Sequence, residues 1–306
     1  MTTSDEPDVH RCWICGSPAR PVRPSTITRA VDDASVRITD SNYGETAALS
    51  ECNACGFRFA APVPHPDILR LYCEMEDQPY QDSADARRAQ MRVLLDLIAR
   101  VRPSARTLLD VGAGTGLLVA EARTRGLDAH GIEPSQWCVT TAANANRVDL
   151  FQGTTAEWIG RLPRYDVVTL VDVIEHTTDP LAMLRDAAAL LKPGGALLVV
   201  TPDVSSVAAR VMGRWWWHYR VAHVGYFNRT SMAKALREVG LRLEFDTFAT
   251  WRFPASYLAE RFGRYLPVFP FTAMFRAMAN SPRLQRTHLG VNLRDSRAFI
   301  ASPHPV

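Results

Sequence analysis

Two pairs of cysteines near the N-terminus have the spacing of metal-binding knuckles. Cys12 and Cys15 lie in CWICG, and Cys52 and Cys55 lie in CNACG. A Cys-x-x-Cys turn lets two thiolates face one ion, and the glycine after each pair permits the tight turn that points backbone amides at sulfur. Two such knuckles predict a closed tetrahedral four-thiolate site for structural Zn²⁺. A redox Cys-x-x-Cys or four unligated thiols is the alternative, and the duplication of the pair argues against both.

A glycine-rich turn is the second feature with chemical potential. The stretch TLLDVGAGTG at 107–116 carries Asp110 and then three glycines, Gly112, Gly114 and Gly116. A short apolar strand, a glycine turn and a following helix bring backbone amides close to a ligand. A dinucleotide fingerprint needs glycine at position 117, where this chain has Leu117, so a nicotinamide dehydrogenase is disfavoured.

Alternating strands and helices must position these residues. LDAHGIEP ends a second strand at Glu133, whose carboxylate can accept both ribose hydroxyls of a nucleoside. Apolar strands at 164–176 and 196–203 flank a helix at 181–195, and SRAFIAS at 296–302 supplies the last strand. The pattern predicts an α/β fold with a doubly wound parallel sheet, whose ligands bind at the carboxyl ends of the strands.

The chain divides into three parts by composition. We expect a zinc-ribbon module over 1–62, with strands at 35–39 and 47–51 between the cysteine pairs. A proline-rich linker and a helix at about 83–101 occupy 63–103, where apolar residues recur at helical spacing. The main domain follows over 104–306, with a helical cap or insertion at about 204–286.

Composition excludes several classes of protein. The 306 residues carry 35 basic and 32 acidic side chains, and this net charge of +3 is too small to indicate a nucleic-acid or membrane partner. The ribbon has no basic stripe with interleaved aromatics, which favours a scaffold or substrate-recognition role. No secretory signal and no transmembrane run is present in the sequence, so we expect a cytoplasmic protein. Oligomerisation stays open.

Four motifs in order resemble one family. DVGAGTG, GIEPS, YDVVTLVDVIEH with TDP, and LLKPGGALLVVTPD look like class I S-adenosylmethionine (SAM)-dependent methyltransferases, nearest the ubiquinone-biosynthesis branch. The resemblance covers about 106–246 and implies a Rossmann-like methyltransferase sheet with SAM as cofactor. The zinc ribbon and an H-x-x-Y-F segment at 223–227 are similar to a bacterial subgroup whose members often modify sugars or specialised metabolites.

The family implies roles by position. Asp110 and the three glycines would hold the methionine part of the cofactor, and Glu133 the ribose. Thr154 stands where the family often has an acidic residue that contacts adenine. Asp172 lies at the tip of the fourth strand, beside the expected point of methyl transfer. Tyr72 or Tyr80 would cover the cofactor, a surface tyrosine being the alternative.

Methyl transfer from a sulfonium is an in-line displacement, so alignment supplies much of the rate. An oxygen or carbon nucleophile also needs a base, and the candidates are Asp172, Glu175, His176 and His223. For either histidine, structural hydrogen bonding is the alternative role. We therefore expect a methyltransferase acting on a small molecule, preferentially at oxygen.

Competing functions and two aromatic segments stay open. A ribbon-containing RNA methyltransferase is disfavoured because the N/D-P-P-Y motif is absent, and a non-catalytic scaffold because Asp110, the glycines and Glu133 are intact. RWWWHYR at 214–220 predicts either an aromatic wall for the acceptor or a core plug. The segment 257–278 predicts a substrate cap, a dimer surface, a weak membrane-surface contact or core packing.

Overall fold

The computed structural model describes residues 10–39, 42–265 and 271–304. The strands in chain order are β1 (Ala19–Arg23), β2 (Leu49–Cys52), β3 (Arg58–Ala60), β4 (Thr107–Val111), β5 (Asp128–Glu133), β6 (Phe151–Gln152), β7 (Tyr165–Val171), β8 (Leu191–Pro202), β9 (Gly225–Tyr226), β10 (Leu241–Phe248), β11 (Trp251–Pro254), β12 (His288–Val291) and β13 (Ser296–Pro303). The α-helices are α1 (Ile68–Glu74), α2 (Gln78–Asp82), α3 (Ala84–Val101), α4 (Leu117–Thr124), α5 (Gln136–Thr141), α6 (Thr155–Trp158), α7 (Pro180–Ala189), α8 (Val207–Met212), α9 (Arg229–Glu238), α10 (Ala255–Tyr265), α11 (Phe271–Ala279) and α12 (Pro282–Arg286).

A seven-stranded mixed sheet forms the centre of the fold, in the order β10-β13-β8-β7-β4-β5-β6. The five strands from β8 to β6 in this order are parallel, and β13 runs antiparallel to both β8 and β10. The strand order reverses between β4 and β7, so a crevice opens at their carboxyl ends, where ligands of such sheets bind. The α/β fold class predicted from the sequence is confirmed, but the sheet is mixed rather than wholly parallel, because β13 runs antiparallel to both of its neighbours.

The central strands are buried on both faces of this sheet. Leu109 of β4 and Val199 of β8 pack in one cluster with residues of α7 and α9. Leu108 and Leu198, one position away, pack in a second cluster with residues of α3 and α4. Successive side chains of a strand point to opposite faces, so continuous apolar strands of this kind require helices on both sides.

The cysteine-bearing segment is built into the rest of the protein. Its antiparallel sheet has the order β1-β2-β3-β9, and β9 comes from far along the chain, pairing Tyr226 with Arg58 and Gly225 with Phe59. Phe57 is fully buried, with its ring centroid 4.7 Å from that of Phe227. The ribbon segment therefore shares a sheet and a core with residues that precede α9.

Several local predictions differ from the structure. The strand predicted at 35–39 is wrong: Asp33–Val36 forms a 3₁₀ turn because the Asp32 carboxylate caps it, accepting from the Ser35 backbone N–H at 3.0 Å. The strand predicted at 47–51 is present as β2. α1 and α2 fill the expected linker, and the segment 204–286 contains β10, a strand of the main sheet, besides helices.

Candidate functional site

The four N-terminal cysteines converge on one point. Their sulfur atoms all lie within 4.8 Å of one another. Cys12 and Cys55 are separated by 3.7 Å, Cys15 and Cys52 by 3.5 Å, and Cys15 and Cys55 by 3.9 Å. A regular tetrahedron with Zn–S bonds of about 2.3 Å has sulfur–sulfur edges of about 3.8 Å. The donor set and its spacing therefore fit one Zn²⁺.

Backbone geometry forms both knuckles. Gly16 and Gly56 adopt left-handed φ values of 68° and 70°, which closes each turn after its cysteine pair. The backbone N–H groups of Ile14 and Ala54 each donate to the sulfur two residues earlier, at 3.4 Å. The contact between Cys12 and Cys55 lowers the pKa of Cys12 to about 5 and raises that of Cys55, because a thiol that donates a hydrogen bond stabilises the neighbouring thiolate.

The glycine turn after β4 brings backbone close to a large cavity. Gly112, Gly114 and Gly116 have φ values of 71°, 52° and 74°, in the left-handed region that favours glycine. A Cβ at position 112 would lie 2.5 Å from a methyl of Val173. Gly116 ends the turn and caps α4, so the sequence pattern correctly predicted a strand, a turn and a helix here.

Asp110 is a buried carboxylate at the end of β4. It has one described partner, the Thr169 hydroxyl, which donates to Oδ1 at 2.6 Å. Loss of hydration raises the pKa of Asp110 to about 7, against the lowering effect of that hydrogen bond. The residue lines the cavity together with Gly112 and Gly114. Near neutral pH, a ligand of the turn would therefore meet an Asp110 carboxyl group that is only partly ionised.

Glu133 has no exposed surface, although its neighbours Ile132 and Pro134 line the cavity. Its two oxygens accept the backbone N–H groups of Gly114 and Ser135, each at 2.8 Å. Burial raises the pKa of Glu133 to about 7, while these bonds and one from the Tyr72 hydroxyl lower it. Tyr72 thus covers the carboxylate that the sequence assigns to the ribose.

Thr154 and Asp172 both line the cavity. The Thr154 hydroxyl donates to the Glu157 carboxylate at 2.9 Å, which caps the short helix α6. Asp172 follows β7 with a left-handed φ of 54°, an unusual conformation for a residue other than glycine. Asp172 is accessible from the cavity but enclosed by protein, and lost hydration raises its pKa to about 6 against the lowering effects of His218 and two arginines.

His176 and His223 meet edge to face, with ring centroids 4.7 Å apart. His176 donates from Nδ1 to the Ala222 carbonyl at 2.9 Å, and burial lowers its pKa to about 4. Burial also lowers the pKa of His223, whose Nδ1 has no described hydrogen-bond partner. Both rings are therefore neutral near pH 7.

Glu175 lies beside these two histidines, with polar atoms of the three side chains within 4.8 Å. One of its oxygens accepts from the Thr201 hydroxyl at 3.0 Å, and the other has no described partner. Burial and the nearby Asp172 raise the pKa of Glu175, so it holds a proton near neutral pH. The three candidate bases Glu175, His176 and His223 thus form one cluster at the cavity, which Asp172 also lines.

The cavity has a volume of about 1510 Å³ and extends from the glycine turn to the segment 214–220. In that segment Trp216 is fully buried, Trp217 lines the cavity and Trp215 is 54% exposed. The core-plug interpretation therefore applies to Trp216, and the aromatic-wall interpretation applies to Trp217. The wall also carries charged or titratable residues to which the sequence assigned no individual role, among them Arg87, His218, Arg220 and Asp295.

Within 257–278 the structure describes two helical parts, and residues 266–270 lie outside the described ranges. Tyr257, Leu258 and Glu260 of α10 line the cavity, which agrees with the interpretation as a cap. Met274 and Met278 of α11 are 46% and 37% exposed. Among the described helices, none has the length and apolar character that crossing a membrane requires.

Sequence comparison finds proteins that are related to this chain. A sequence model described as a methyltransferase domain matches residues 84–244. A ubiquinone biosynthesis O-methyltransferase of Marinobacter nauticus is 36% identical over 111 residues, covering 33% of this chain and 46% of the relative. The corresponding protein of Xanthomonas axonopodis pv. citri is 30% identical over 166 residues, covering 48% of this chain and 66% of the relative. The chain thus spans about half to two thirds of these relatives.

Two solved structures are similar at low identity. Magnesium protoporphyrin IX methyltransferase from Synechocystis PCC 6803 is 15% identical, with a TM-score of 0.47, over 77% of this chain and 92% of that one. A SAM-dependent methyltransferase from Archaeoglobus fulgidus is 15% identical, with a TM-score of 0.48, over 74% of this chain and 99% of that one. Because the family's sequence model spans more than half of the residues, from α3 to β10, the chain belongs to the methyltransferase domain family.

Proposed function

We propose that this protein transfers the methyl group of SAM to a hydroxyl group of a small molecule. The observation that carries the proposal is the cavity at the switch point of the sheet, where the Gly112–Gly114 backbone and two carboxylates, Asp110 and Asp172, share one wall. SAM carries an ammonium group, a sulfonium and two ribose hydroxyls. Carboxylates and open backbone match these groups in charge and in hydrogen bonding.

Each part of SAM would contact a different part of the site. Asp110 would bind the ammonium group, with Gly112 and Gly114 leaving space for the methionine chain. Gly116, where a Cβ would meet Val148 and Ala142, would shape the turn and cap α4. Glu133 would accept the ribose hydroxyls through the lone pairs that its backbone bonds leave free, after the Tyr72 hydroxyl gives way. Thr154 would lie at the adenine end, and Asp172 beside the sulfonium.

The acceptor would occupy the remainder of the cavity. A volume of about 1510 Å³ exceeds the roughly 300–1,000 Å³ of typical single-ligand sites, so cofactor and acceptor fit together. Trp217 and Leu258 supply apolar surface, and Arg220 supplies a positive charge. These features suit a planar or ring-shaped acceptor with a hydroxyl group, and the relatives named for O-methylation support transfer to oxygen.

The reaction would be an in-line displacement at the methyl carbon, with SAM supplying an already activated leaving group. The protein's task is to align the acceptor and to remove its proton. Asp172, Glu175, His176 and His223 are the candidate bases expected from the sequence. Burial leaves Glu175 protonated and keeps both histidines neutral and weakly basic, so Asp172 is the most readily ionised of the four near pH 7.

The four cysteines would hold one structural Zn²⁺, which takes no part in methyl transfer. Four thiolates leave no open coordination position for a substrate. The segment 1–62 would act as a scaffold, since β9 joins its sheet to the wall of the cavity. Residues 63–103 and 104–306 would form the cofactor cover and the catalytic domain.

A native mass spectrum tests both halves of this proposal. We expect one zinc per chain, and one bound SAM or its demethylated product, S-adenosylhomocysteine (SAH), after addition. Incubation with SAM and a panel of phenols, catechols and sugars should then yield products heavier by one methylene unit. A chain that binds neither SAM nor SAH in excess would refute the cofactor assignment.

A further inference from the structure

His218 and Asp295 form an ion pair in the wall of the cavity. His218 Nε2 lies 3.4 Å from Asp295 Oδ2, and the side chains are 19% and 4% exposed. Both residues line the cavity that contains Asp172. A nearly dehydrated carboxylate against one ring nitrogen is the arrangement that orients an imidazole and stabilises its protonated form.

The pair is held rigidly from both sides. Trp216 Nε1 donates to the same Asp295 oxygen at 3.4 Å, and the Asp295 carbonyl accepts from the Asp203 N–H at 2.8 Å. The His218 ring packs edge-on against Trp216 with centroids 5.1 Å apart, and lies nearly parallel to the His223 ring at 6.0 Å. Both side chains are therefore already held in place before a ligand binds.

His218 differs from the other two histidines of the cavity. Among the described residues, no carboxylate forms an ion pair with His176 or His223, and Arg220 adds a positive charge that disfavours their protonation. Burial lowers the pKa of both, which makes each a weak proton acceptor. His218 instead has Asp295 to compensate the charge that it would gain.

We propose that His218 is the general base for the acceptor hydroxyl and that Asp295 is its positioning residue. This inference rests on the proposed methyltransferase function. His218 Nδ1 takes the hydroxyl proton as the oxygen–methyl bond forms, and the sulfur–methyl bond breaks with its electron pair left on sulfur. The imidazolium formed is paired with Asp295, and SAH and the methyl ether leave. The proton later passes from His218 to solvent.

Several charged or titratable groups surround His218. Among the nearby charges that lower the pKa of the Asp172 carboxyl, His218 has the largest effect. Arg87 and Arg220 act on the same carboxyl, and His223 stacks on the His218 ring. Asp295 supplies the negative charge in direct contact. Replacing Asp295 by Asn should therefore remove the charge that pairs with the imidazolium, whereas changes at distant pairs should not.

Nuclear magnetic resonance of the histidine rings tests this placement without an acceptor. The His218 ring signal, assigned by its loss in His218→Asn, is compared in the presence of SAM and of SAH. The two ligands differ by the methyl group and the sulfonium charge, so a ring at the point of methyl transfer should have different chemical shifts in the two complexes. We expect such a difference for His218, and a changed ring signal in Asp295→Asn, which lacks the charged partner of Nε2.

A second histidine–aspartate pair provides the control. His130 Nε2 lies 3.7 Å from Asp128 Oδ1, at a carboxylate that is 70% exposed. Asp128→Asn should leave the His218 ring signal unchanged. A His218 signal that is the same with SAM and SAH, or that is unaffected by Asp295→Asn, would overturn the proposal.

Kinetics with a catechol acceptor separate a base from a structural histidine. His218→Asn should lower kcat by about 10²–10⁴-fold and abolish the acidic limb of the kcat–pH profile, with unchanged SAM affinity. Imidazole should partly restore activity to His218→Ala, and Asp295→Asn should lower kcat with unchanged SAM affinity. Wild-type kcat in His218→Asn, or loss of its SAM binding, would overturn the assignment. Failure of the wild-type chain to bind SAM would instead refute the proposed function.

Discussion

Replacement of Asp110 by Asn should stabilise the ligand-free protein at alkaline pH and weaken its binding of SAM. Burial raises the pKa of this carboxyl from 3.8 to about 7. In the unfolded chain the same carboxyl ionises near pH 4. Between these values the unfolded state has lost the proton that the folded state keeps, so stability falls as the pH rises through this window.

The size of the Asp110 pKa shift gives the size of the effect on the free energy of unfolding. About three pKa units at about 1.4 kcal/mol each give a destabilisation of about 4 kcal/mol above pH 7, which vanishes below pH 4. Asn retains the oxygen that accepts from the Thr169 hydroxyl at 2.6 Å and carries no charge to dehydrate. The substitution therefore removes the cost of the buried charge while it keeps the shape and the one described hydrogen bond. It also removes the partner proposed for the cofactor's ammonium group.

Urea unfolding at pH 5 and pH 8 measures the first effect, and calorimetric titration with SAM the second. Asp110→Asn should raise the unfolding midpoint at pH 8 by more than at pH 5, and should weaken SAM binding by about tenfold or more. The control, Asp128→Asn, changes a carboxylate that is 70% exposed and should do neither. A ligand-free Asp110→Asn protein less stable than the wild type at pH 8 would refute the reasoning, and unchanged SAM affinity would refute the assignment of Asp110.

Two further predictions concern the turn and the cysteines. Gly112→Ala places a Cβ 2.5 Å from Val173 and should lower the free energy of unfolding by about 2–4 kcal/mol. The control Gly126→Ala should lower it by about 1 kcal/mol, because Gly126 also has a left-handed φ but no atom lies within 4 Å of its Cβ position. Adding Val173→Ala to Gly112→Ala should recover most of the difference in urea unfolding, and failure to do so would contradict the proposed clash. Cys52→Ser should release zinc, measured by a metal-binding dye, and lower the thermal midpoint by about 10 °C, whereas Cys73→Ser should retain the zinc. Equal zinc content in the two cysteine variants would contradict the four-thiolate site.

The sequence predicted the parts of the fold that depend on local patterns. The strand, glycine turn and helix around Gly112 have fixed spacing, and the two Cys-x-x-Cys knuckles are each closed within five residues by a left-handed glycine. The α3 helix follows from apolar residues at helical spacing. In all three cases the information lies within one short window, so a single sequence carries it.

Features that need distant partners were missed. β9 has only two residues, Gly225 and Tyr226, and becomes a strand because β3 offers it an unpaired edge. Asp295 gains its partner His218 only when β13 closes the sheet beside β8. The sequence did single out the segment that contains His218, through its three tryptophans, but carried no signal that would connect it to an aspartate so far along the chain.

The carboxylates around the cavity explain how the ligand-free and ligand-bound proteins would differ. Burial raises the pKa values of Asp110 and Glu133 to about 7, and that of Asp172 to about 6, so all three share protons near neutral pH. A ligand with an ammonium group and a sulfonium favours their ionised forms. SAM binding should therefore release protons and tighten as the pH rises from 6 to 8, and the Tyr72 hydroxyl that bonds to Glu133 should give way to ribose. The free-energy cost of ionising dehydrated carboxylates without a ligand and a selectivity for a cationic cofactor would then have the same physical origin.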